Sequence, residues 1–540
     1  MIPQPDRSFD GAGARPPVTL RLANDDLPSA SPTLPPAEML PDMPPRRDRP
    51  GTFQIAGKRV YLVGIGGCGM SGLARMLRAR GALVSGSDKE SSDTTEALAR
   101  EGVVVSLDQQ TGRIPAGTQL VIASAAVPPA HPELLAAQHA GVEVLTYAQA
   151  LGLCMIGRTG VAVAGTHGKS TISAMLGHTL IQCGLDPSVI VGATCAHLAD
   201  SGGEPSGFRL GSERIPHGPR AGEPGVLVAE ACEFNRSFHN LHPTLGAITS
   251  VEADHLDIYG SLDAVVASFR EFARLVPPRD EGGYLLIAHD GAHRREVTAG
   301  LDCAVQTIGF DPSADWQVTY DASSRRVGLN QGARHLGNWV NRIPGAHIAI
   351  DSGFAAVLAL RLGASMERIA AALASFNGVD RRMQFLGEKS IGDGAPVRVY
   401  DDYGHHPTEI DCTLRALRES ERPEHRGGRL ICVFQPHQHS RTRFLLEEFA
   451  QSFSHADVVI VPQIYFVRDS EVEKTRVSSA DLVDRLRSRG VQAMHLHPFE
   501  AIVEQLGVIC RPGDLLVVMG AGPVWRVARG FLDGASSGRG

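Results

Sequence analysis

At 540 residues, 43% of them apolar and 21% charged, the chain has the make-up of a globular protein of roughly three or four domains. A formal net charge of -7 argues against the broad basic surface that nucleic-acid binding requires, and leaves small anionic substrates to be met by local lysines and arginines. The nine cysteines show no paired or metal-ligand spacing, no basic-then-apolar leader opens the chain, and no run reaches the ~18 apolar residues of a membrane span. Reduced thiols, a cytoplasmic location and no membrane insertion are therefore expected.

Residues 1–50 hold 12 of the 34 prolines and few large apolar side chains, too little to offset ordering entropy, so a disordered tail is expected there. A first unit, 51–158, begins with the buried-strand pattern Arg59-Val60-Tyr61-Leu62-Val63, then Gly64-Ile65-Gly66-Gly67-Cys68-Gly69-Met70-Ser71-Gly72 and a helix predicted over 71–80. This is Gly-X-Gly-X-X-Gly between strand and helix, the setting in which a pyrophosphate approaches the backbone. A second strand over 82–85 runs out at Ser87 and Asp88, placing a carboxylate where it suits a ribose hydroxyl. A third, over 119–123, opens onto a loop at Ser124. These residues leave NAD and a UDP-sugar equally open as the nucleotide.

The second unit, 159–377, opens on Val161-Ala162-Val163-Ala164-Gly165-Thr166-His167-Gly168-Lys169-Ser170-Thr171, with a helix predicted over 171–183. An apolar strand emptying into Gly-X-X-Gly-Lys-Ser points backbone N–H groups and a positive helix end at one spot, which makes a phosphate cradle. Lys169 suits the terminal phosphates, and the hydroxyl of Ser170 or Thr171 suits magnesium. Val163 stands where the full phosphate-loop pattern has its first glycine. Residues 200–225, rich in Gly, Pro, Ser and Arg, read as a surface insertion. A strand over 225–229 ends at Glu230-Ala231-Cys232-Glu233, and one over 245–249 at Ser250-Val251-Glu252-Ala253-Asp254-His255-Leu256-Asp257. In doubly wound sheets the site lies at the strands' carboxyl ends, and here three predicted strands end in Lys169, Glu230 and His255, a set able to hold magnesium against phosphate oxygens. Glu233 and Asp257 fit a solvated loop as well as they fit a site.

In the third unit, 378–535, a strand over 396–400 runs into Asp401-Asp402-Tyr403-Gly404-His405-His406-Pro407-Thr408, where Thr408 is expected to cap the next helix with Asp411 three residues on. A strand over 430–434 leads to Gln435-Pro436-His437 and a helix bearing Arg441 and Arg443. Strands over 457–461 and 514–519 follow, the last leading to Gly520-Ala521-Gly522, in a second mononucleotide-binding arrangement. Adjacent histidines do not converge easily on one ion, so His405 and His406 are expected to touch nucleotide and substrate.

Together these motifs resemble the Mur ligase family, its alanine-adding branch above all, from about Lys58 to Arg529. Besides the two glycine loops, the resemblance rests on Glu252-Ala253-Asp254-His255, Gly378-Val379-Asp380-Arg381-Arg382, Asp401-Asp402-Tyr403-Gly404-His405-His406-Pro407-Thr408-Glu409 and Phe434-Gln435-Pro436-His437. It implies an α/β fold of three-domain Mur ligase architecture: a Rossmann-like amino-terminal domain for a UDP-sugar, a central P-loop ATPase and a Rossmann-like carboxy-terminal domain. The first loop then takes UDP rather than NAD, through Gly64, Ile65, Gly66, Gly67, Gly69, Met70, Ser71, Ser87, Asp88 and Ser124. The implied reaction spends ATP to activate the lactyl carboxylate of UDP-N-acetylmuramate as an acyl phosphate, which the amine of L-alanine then attacks, in peptidoglycan precursor synthesis. ATP is assigned to Gly165, Thr166, His167, Gly168, Lys169, Ser170, Thr171, Arg382 and Asp402. Mg2+ falls to Ser170 or Thr171 with Glu230, and a second ion to His255. Lys169, Glu230, His255 and Arg382 would be the catalytic groups, His405, Arg441 and Arg443 would flank the substrate, and His255 or a nearby carboxylate would take the amine's proton.

Three departures stand out. The family's Gly-X-His-Asn-X-X-Asn appears as Gly345-Ala346-His347-Ile348-Ala349-Ile350-Asp351, so both asparagines that face ATP are missing. At about 1 to 2 kcal/mol for each unmade bond, that implies nucleotide binding weaker by roughly 2 to 4 kcal/mol. Cys232, Phe234 and Asn235 thin an acid-rich run, and Ser170 replaces a threonine. The rival readings are a tripeptide-recycling ligase, a non-catalytic UDP-muramyl-binding relative and an NAD dehydrogenase.

Overall fold

The computed structural model describes residues 53–199, 203–467 and 469–534; the stretch expected to be a disordered tail lies outside them. Apolar runs too continuous for a half-solvated sheet produce three mainly parallel sheets with helices between the strands. The first has five strands, β1 (Arg59–Val63), β2 (Leu83–Ser87), β3 (Val104–Ser106), β4 (Leu120–Ala123) and β5 (Glu143–Thr146), in the order β3-β2-β1-β4-β5. Its strands are all parallel. The helix after the first glycine loop is Cys68–Ala79, starting earlier than predicted because Ser71 already donates to Gly67 O at 2.8 Å.

The middle sheet has ten strands: β6 (Thr159–Ala164), β7 (Ser188–Cys195), β8 (Ser206–Arg209), β9 (Val226–Glu230), β10 (Leu245–Ile248), β11 (Tyr284–Ala288), β12 (Ala304–Gly309), β13 (Trp316–Asp321), β14 (Arg326–Gln331) and β15 (Arg334–Val340). Their order is β15-β14-β13-β12-β11-β10-β6-β9-β7-β8, parallel except for β7 with β8 and for the β13-β14-β15 meander. The fully buried β6 therefore lies between β10 and β9, in parallel register with both (Ala164 opposite Ile248, Val163 opposite Glu230). Three strand ends open at one edge.

The insertion over 200–225 is not purely a surface feature. It supplies β8, whose Phe208 packs over Gly72 of the helix Cys68–Ala79 and seams the first sheet to the second. The approach is close: a Cβ on Gly207 would sit 2.7 Å from both Cys68 Sγ and Val191 O.

The third sheet comprises β16 (Gln384–Lys389), β17 (Val397–Asp402), β18 (Leu430–Phe434), β19 (Val458–Val461), β20 (Gln492–His495) and β21 (Leu515–Met519), ordered β16-β17-β21-β18-β19-β20 with β16 alone antiparallel. The glycine turn after β21 is tied to the segment that precedes β16 and to the end of β17. Arg381 donates to the carbonyls of Gly520 at 2.6 Å and Gly522 at 3.4 Å, and Gly520 N–H donates to Asp402 O. Among the described residues no helix is long and apolar enough to cross a membrane, and all nine cysteines are free.

If the β8 seam holds the first two sheets together, Gly207→Ala should lower the urea midpoint by the equivalent of roughly 1–3 kcal/mol. Gly507→Ala, on an open helix face with nothing within 4 Å, should be neutral or stabilising by about 0.5–1 kcal/mol. Equal midpoints for the two variants would show that the seam carries no strain.

Candidate active site

The loop after β6 is shaped by two glycines. Gly165 has φ 135° and lies against the backbone N–H groups of Thr249 and Ser250; Gly168 has φ 80° and caps the helix Lys169–Gln182, where a Cβ would approach Asp351 to 2.7 Å. Val163, in place of the pattern's first glycine, is a fully buried strand residue, so the cradle is the short turn Gly165–Gly168. The segment after β10 stitches it down: Thr166 N–H donates to Ser250 O at 2.9 Å, His167 N–H to Ser250 Oγ at 3.1 Å, and Glu252 N–H to Thr166 Oγ1 at 2.9 Å.

Lys169 Nζ donates to Gly165 O at 2.6 Å and Thr166 O at 3.0 Å, and meets Glu233 at 2.9 Å. Burial opposes the charge on Lys169, but Glu233 outweighs it and raises the ammonium's pKa. Glu233 itself is pushed up by burial against the pull of Lys169, so the solvated-loop reading fails at this residue. It holds at the exposed Asp257. Ser170 Oγ lies 3.0 Å from both oxygens of Glu230, and Gly192 N–H donates to Glu230 at 2.7 Å. A hydroxyl and a carboxylate held together are hard oxygen donors of the kind magnesium prefers, so this pair fits the ion. Thr171 lines the same cavity without reaching Glu230.

His255, seven residues past the end of β10 and at the start of the short helix Leu256–Tyr259, is left-handed (φ 51°) and holds Nε2 3.9 Å from Glu233 and 3.7 Å from Asp254. Asp254 is held well below the usual carboxylate range: burial opposes its charge, and the Arg441 guanidinium at 2.7 and 3.0 Å overcomes it. Arg441 thus reaches the site from the third sheet. Arg443 does not; it turns away to pair with Glu473 at 2.9 Å.

His167 bridges two acids, with Glu252 3.3 Å from Nε2 and Glu409 3.2 Å from Nδ1. Burial disfavours its charge, yet the two carboxylates push the imidazole up to about 10, and Glu252 settles at about 2. Thr408 does not cap the helix Pro407–Glu421. The cap is His406, whose Nδ1 accepts from Thr408 N–H while Glu409 accepts the N–H groups of His405 and His406. Thr408 Oγ1 instead donates to Glu252 at 2.7 Å. His405 is pushed down to about 3 by burial.

Between the phosphate loop and the third sheet lies a cavity of about 260 Å3, into which Arg382, Asp402, Ile348 and Asp351 also face. Burial raises Asp402 to about 6 although Arg382 and the N–H groups of Met383 and Gly404 favour its charge. Asp351, 7% exposed, is raised well above the usual range by burial despite Arg382 and His167. Burial thus favours its neutral form, in which a carboxyl can donate as well as accept.

The first glycine loop reaches this edge through Cys68, whose thiol donates to Val191 O and is pushed up to about 11 by burial and by Glu230. Its own donors are largely spent. Gly64 and Ile65 donate to Ser87 O, Gly66 N–H to Asp88 Oδ2 at 2.8 Å, and Gly67 to Gly64 O. Asp88 thus anchors the loop rather than presenting a free carboxylate to a ribose, and Ser87, fully buried, donates to Glu133. Ile65, Met70 and Ser71 are buried, leaving Gly64, Gly66, Gly67, Gly69 and Ser124 at the accessible rim. Glu252 and Glu409 were quoted in motifs without a role, and Gly192 carried no signal at all.

Three family profiles match in chain order: "Mur ligase family, catalytic domain" over residues 59–159, "Mur ligase middle domain" over 163–352 and "Mur ligase, glutamate ligase domain" over 381–522. A UDP-N-acetylmuramate–L-alanine ligase of Clostridium novyi is 35% identical over 486 residues, covering 88% of this chain and 97% of the relative. One of Kineococcus radiotolerans is 39% identical over 487 residues, covering 88% and 96%. The fold matches the crystal structure of a UDP-N-acetylmuramate-alanine ligase from Thermotoga maritima with TM-score 0.70 at 23% identity, over 89% of this chain and all of that one. It matches a murein peptide ligase from Psychrobacter arcticus with TM-score 0.65 at 22% identity, over 90% of this chain and 100% of that one.

Two titrations check the charge assignments. A histidine whose pKa rises to about 10 on folding stabilises fully below its unfolded value near ~6.5 and loses that contribution as pH climbs through the folded one. The Tm deficit of His167→Asn should therefore be largest below pH ~6.5 and shrink towards pH ~10; a constant deficit would refute the charged bridge. For Asp351 the sign is reversed. Above its unfolded pKa near ~3.9 a buried acid that keeps its proton costs stability, so Asp351→Asn should gain Tm over the parent as pH rises from ~4. A gap that closes with rising pH would mean that Asp351 is ionised.

Proposed function

Because the chain belongs to the Mur ligase family, we propose that it is an ATP-dependent ligase joining L-alanine to the lactyl carboxylate of UDP-N-acetylmuramate through an acyl phosphate, for peptidoglycan precursors. The observation that carries the reading is the meeting of Lys169, the Ser170–Glu230 pair and His255 at one edge of the middle sheet, beside a cavity closed by Arg382 and Asp402. Residues 51–158 would handle the UDP-sugar, 159–377 ATP and 378–535 the amino acid.

The triphosphate lies on the turn Gly165–Gly168 and the helix end behind it, where N–H groups and the ammonium of Lys169 meet its charge. Arg382 offers a second fixed cation as charge shifts from the attacking carboxylate to the leaving phosphate. Magnesium, held by Ser170 and Glu230 and at a second position by His255, would supply charge neutralisation at the phosphate oxygens. Asp402, anchored by two backbone N–H groups, is oriented for a ribose hydroxyl. The amine must lose a proton before it attacks, and Glu233, Asp254 and His255, whose ligand atoms lie within 4.8 Å of one another, form the basic cluster beside Arg441. His255 or a carboxylate of this cluster would take that proton; Asp254 is paired with Arg441 and Glu233 with Lys169, so a triphosphate that draws Lys169 away would free Glu233 for the role.

Phosphate release from ATP and UDP-N-acetylmuramate with magnesium should require L-alanine, and Lys169→Ala or Glu230→Gln should slow it at least ~100-fold. Release with the tripeptide L-alanyl-γ-D-glutamyl-diaminopimelate but not with alanine would replace this reading by the recycling ligase. No release with either would leave a binding protein.

A further inference from the structure

A second cavity, about 1000 Å3, adjoins the nucleotide cavity along the 377–385 segment and shares Arg382 and Met383 with it. Six arginines face it, from the β13–β14 turn, the end of β15, the linker, β17 and the end of the helix Pro407–Glu421, against three carboxylates. Those carboxylates are largely committed. Glu421 meets Arg398 and Arg426 and accepts the Tyr400 hydroxyl at 2.7 Å, and Asp380 accepts from Thr194 at 2.5 Å and Gln384 at 2.9 Å.

Three guanidiniums bond only neutral oxygens among the described residues. Arg325 donates to Arg342 O at 2.6 Å; Arg342 donates to Ala374 O at 3.1 Å and Asn377 Oδ1 at 2.6 Å; Arg422 donates to Glu419 O at 3.2 Å. Concave walls, surplus guanidinium and a fixed geometry are what a phosphate group needs. On the rim Phe385 is 45% exposed, with the Arg398 guanidinium 4.7 Å from its ring, which offers a flat base a face to lie on.

We propose that this cleft binds a second phosphate-bearing anion of nucleotide size, separate from the one on the loop after β6. Its position couples it to the first cavity. The linker between them is wound through left-handed Gly378, Arg381 and Met383 (φ 112°, 58° and 47°), so Arg382 is held by backbone that has few alternatives. Asp380 N–H also donates to Thr194 O on β7, the strand whose Gly192 N–H holds Glu230. An anion bound in the cleft would bias both Arg382 and this strand.

The test is calorimetric titration of the full chain with inorganic tripolyphosphate and ADP at 150 mM NaCl, in a Lys169→Ala background that weakens the loop site. One equivalent of anion should still bind, and Arg342→Glu with Arg422→Glu should weaken it at least tenfold while leaving the thermal midpoint in place. Arg325→Ser, on an exposed turn, is the second variant should the pair fail to fold, and it should weaken binding severalfold. Tighter binding of ADP than of tripolyphosphate, lost in Phe385→Ala, would identify a nucleotide; equal binding of the two would identify a phosphate reader blind to the base. Absence of binding in Lys169→Ala, or binding indifferent to the arginine variants, overturns the proposal.

Discussion

Everything at this site depends on β6 being paired in parallel with β9 on one side and β10 on the other. Parallel neighbours end at the same edge, so three strands adjacent in the sheet deliver residues from or just past their carboxyl ends to one place: Lys169 after β6, Glu230 at the end of β9 and His255 in the segment after β10. Were any of the three strands reversed, its side chains would emerge at the opposite edge. Burial of β6 on both faces fixes the register, since a slip by one residue would turn Val161 and Val163 away from the core cluster they fill.

The second constraint is charge. The site buries Glu233, Asp254 and Arg441 and half-buries Lys169, His167, Glu252 and Glu409, and each has an opposite charge within about 4 Å. Buried charge is tolerated only when paired. Because the partners come from different sheets, pairing is also what docks them: His167 with Glu409, Glu252 with Thr408, and Asp254 with Arg441 all cross from the middle sheet to the third. A triphosphate entering the loop competes with Glu233 for the ammonium of Lys169, so nucleotide binding and the basic cluster around His255 share one charge balance.

The strand ends were legible because apolar runs broken by glycine mark a buried strand and its exit. The partners were not. His167 and Glu409 are 242 residues apart, and nothing local says that they meet. Capping shows a different failure. Thr408 was chosen by residue type, whereas Pro407 favours the first helical position and so puts the cap on His406; the signal was present and was outranked. Gly520-Ala521-Gly522 reads in sequence only as the turn after a strand, and that its carbonyls hold Arg381, 139 residues away at Gly520, is something composition does not record. β3, three residues long with Val104 74% exposed, lacks the apolar run that marks the other strands.

Asp351 shows how burial can change what a substitution means. Judged by residue type, an aspartate in place of an asparagine removes a donor. In the cavity beside Gly168 desolvation favours the protonated carboxyl against the pull of Arg382 and His167. A neutral acid presents one donor and one acceptor side by side, as an amide does. Ile348 is different: 4% exposed and part of the apolar core, it has no polar atom to offer. The neutral form of Asp351 would restore one of the two expected contacts and leave a weakening of about 1 to 2 kcal/mol, and that gain would fade as rising pH ionises the carboxyl.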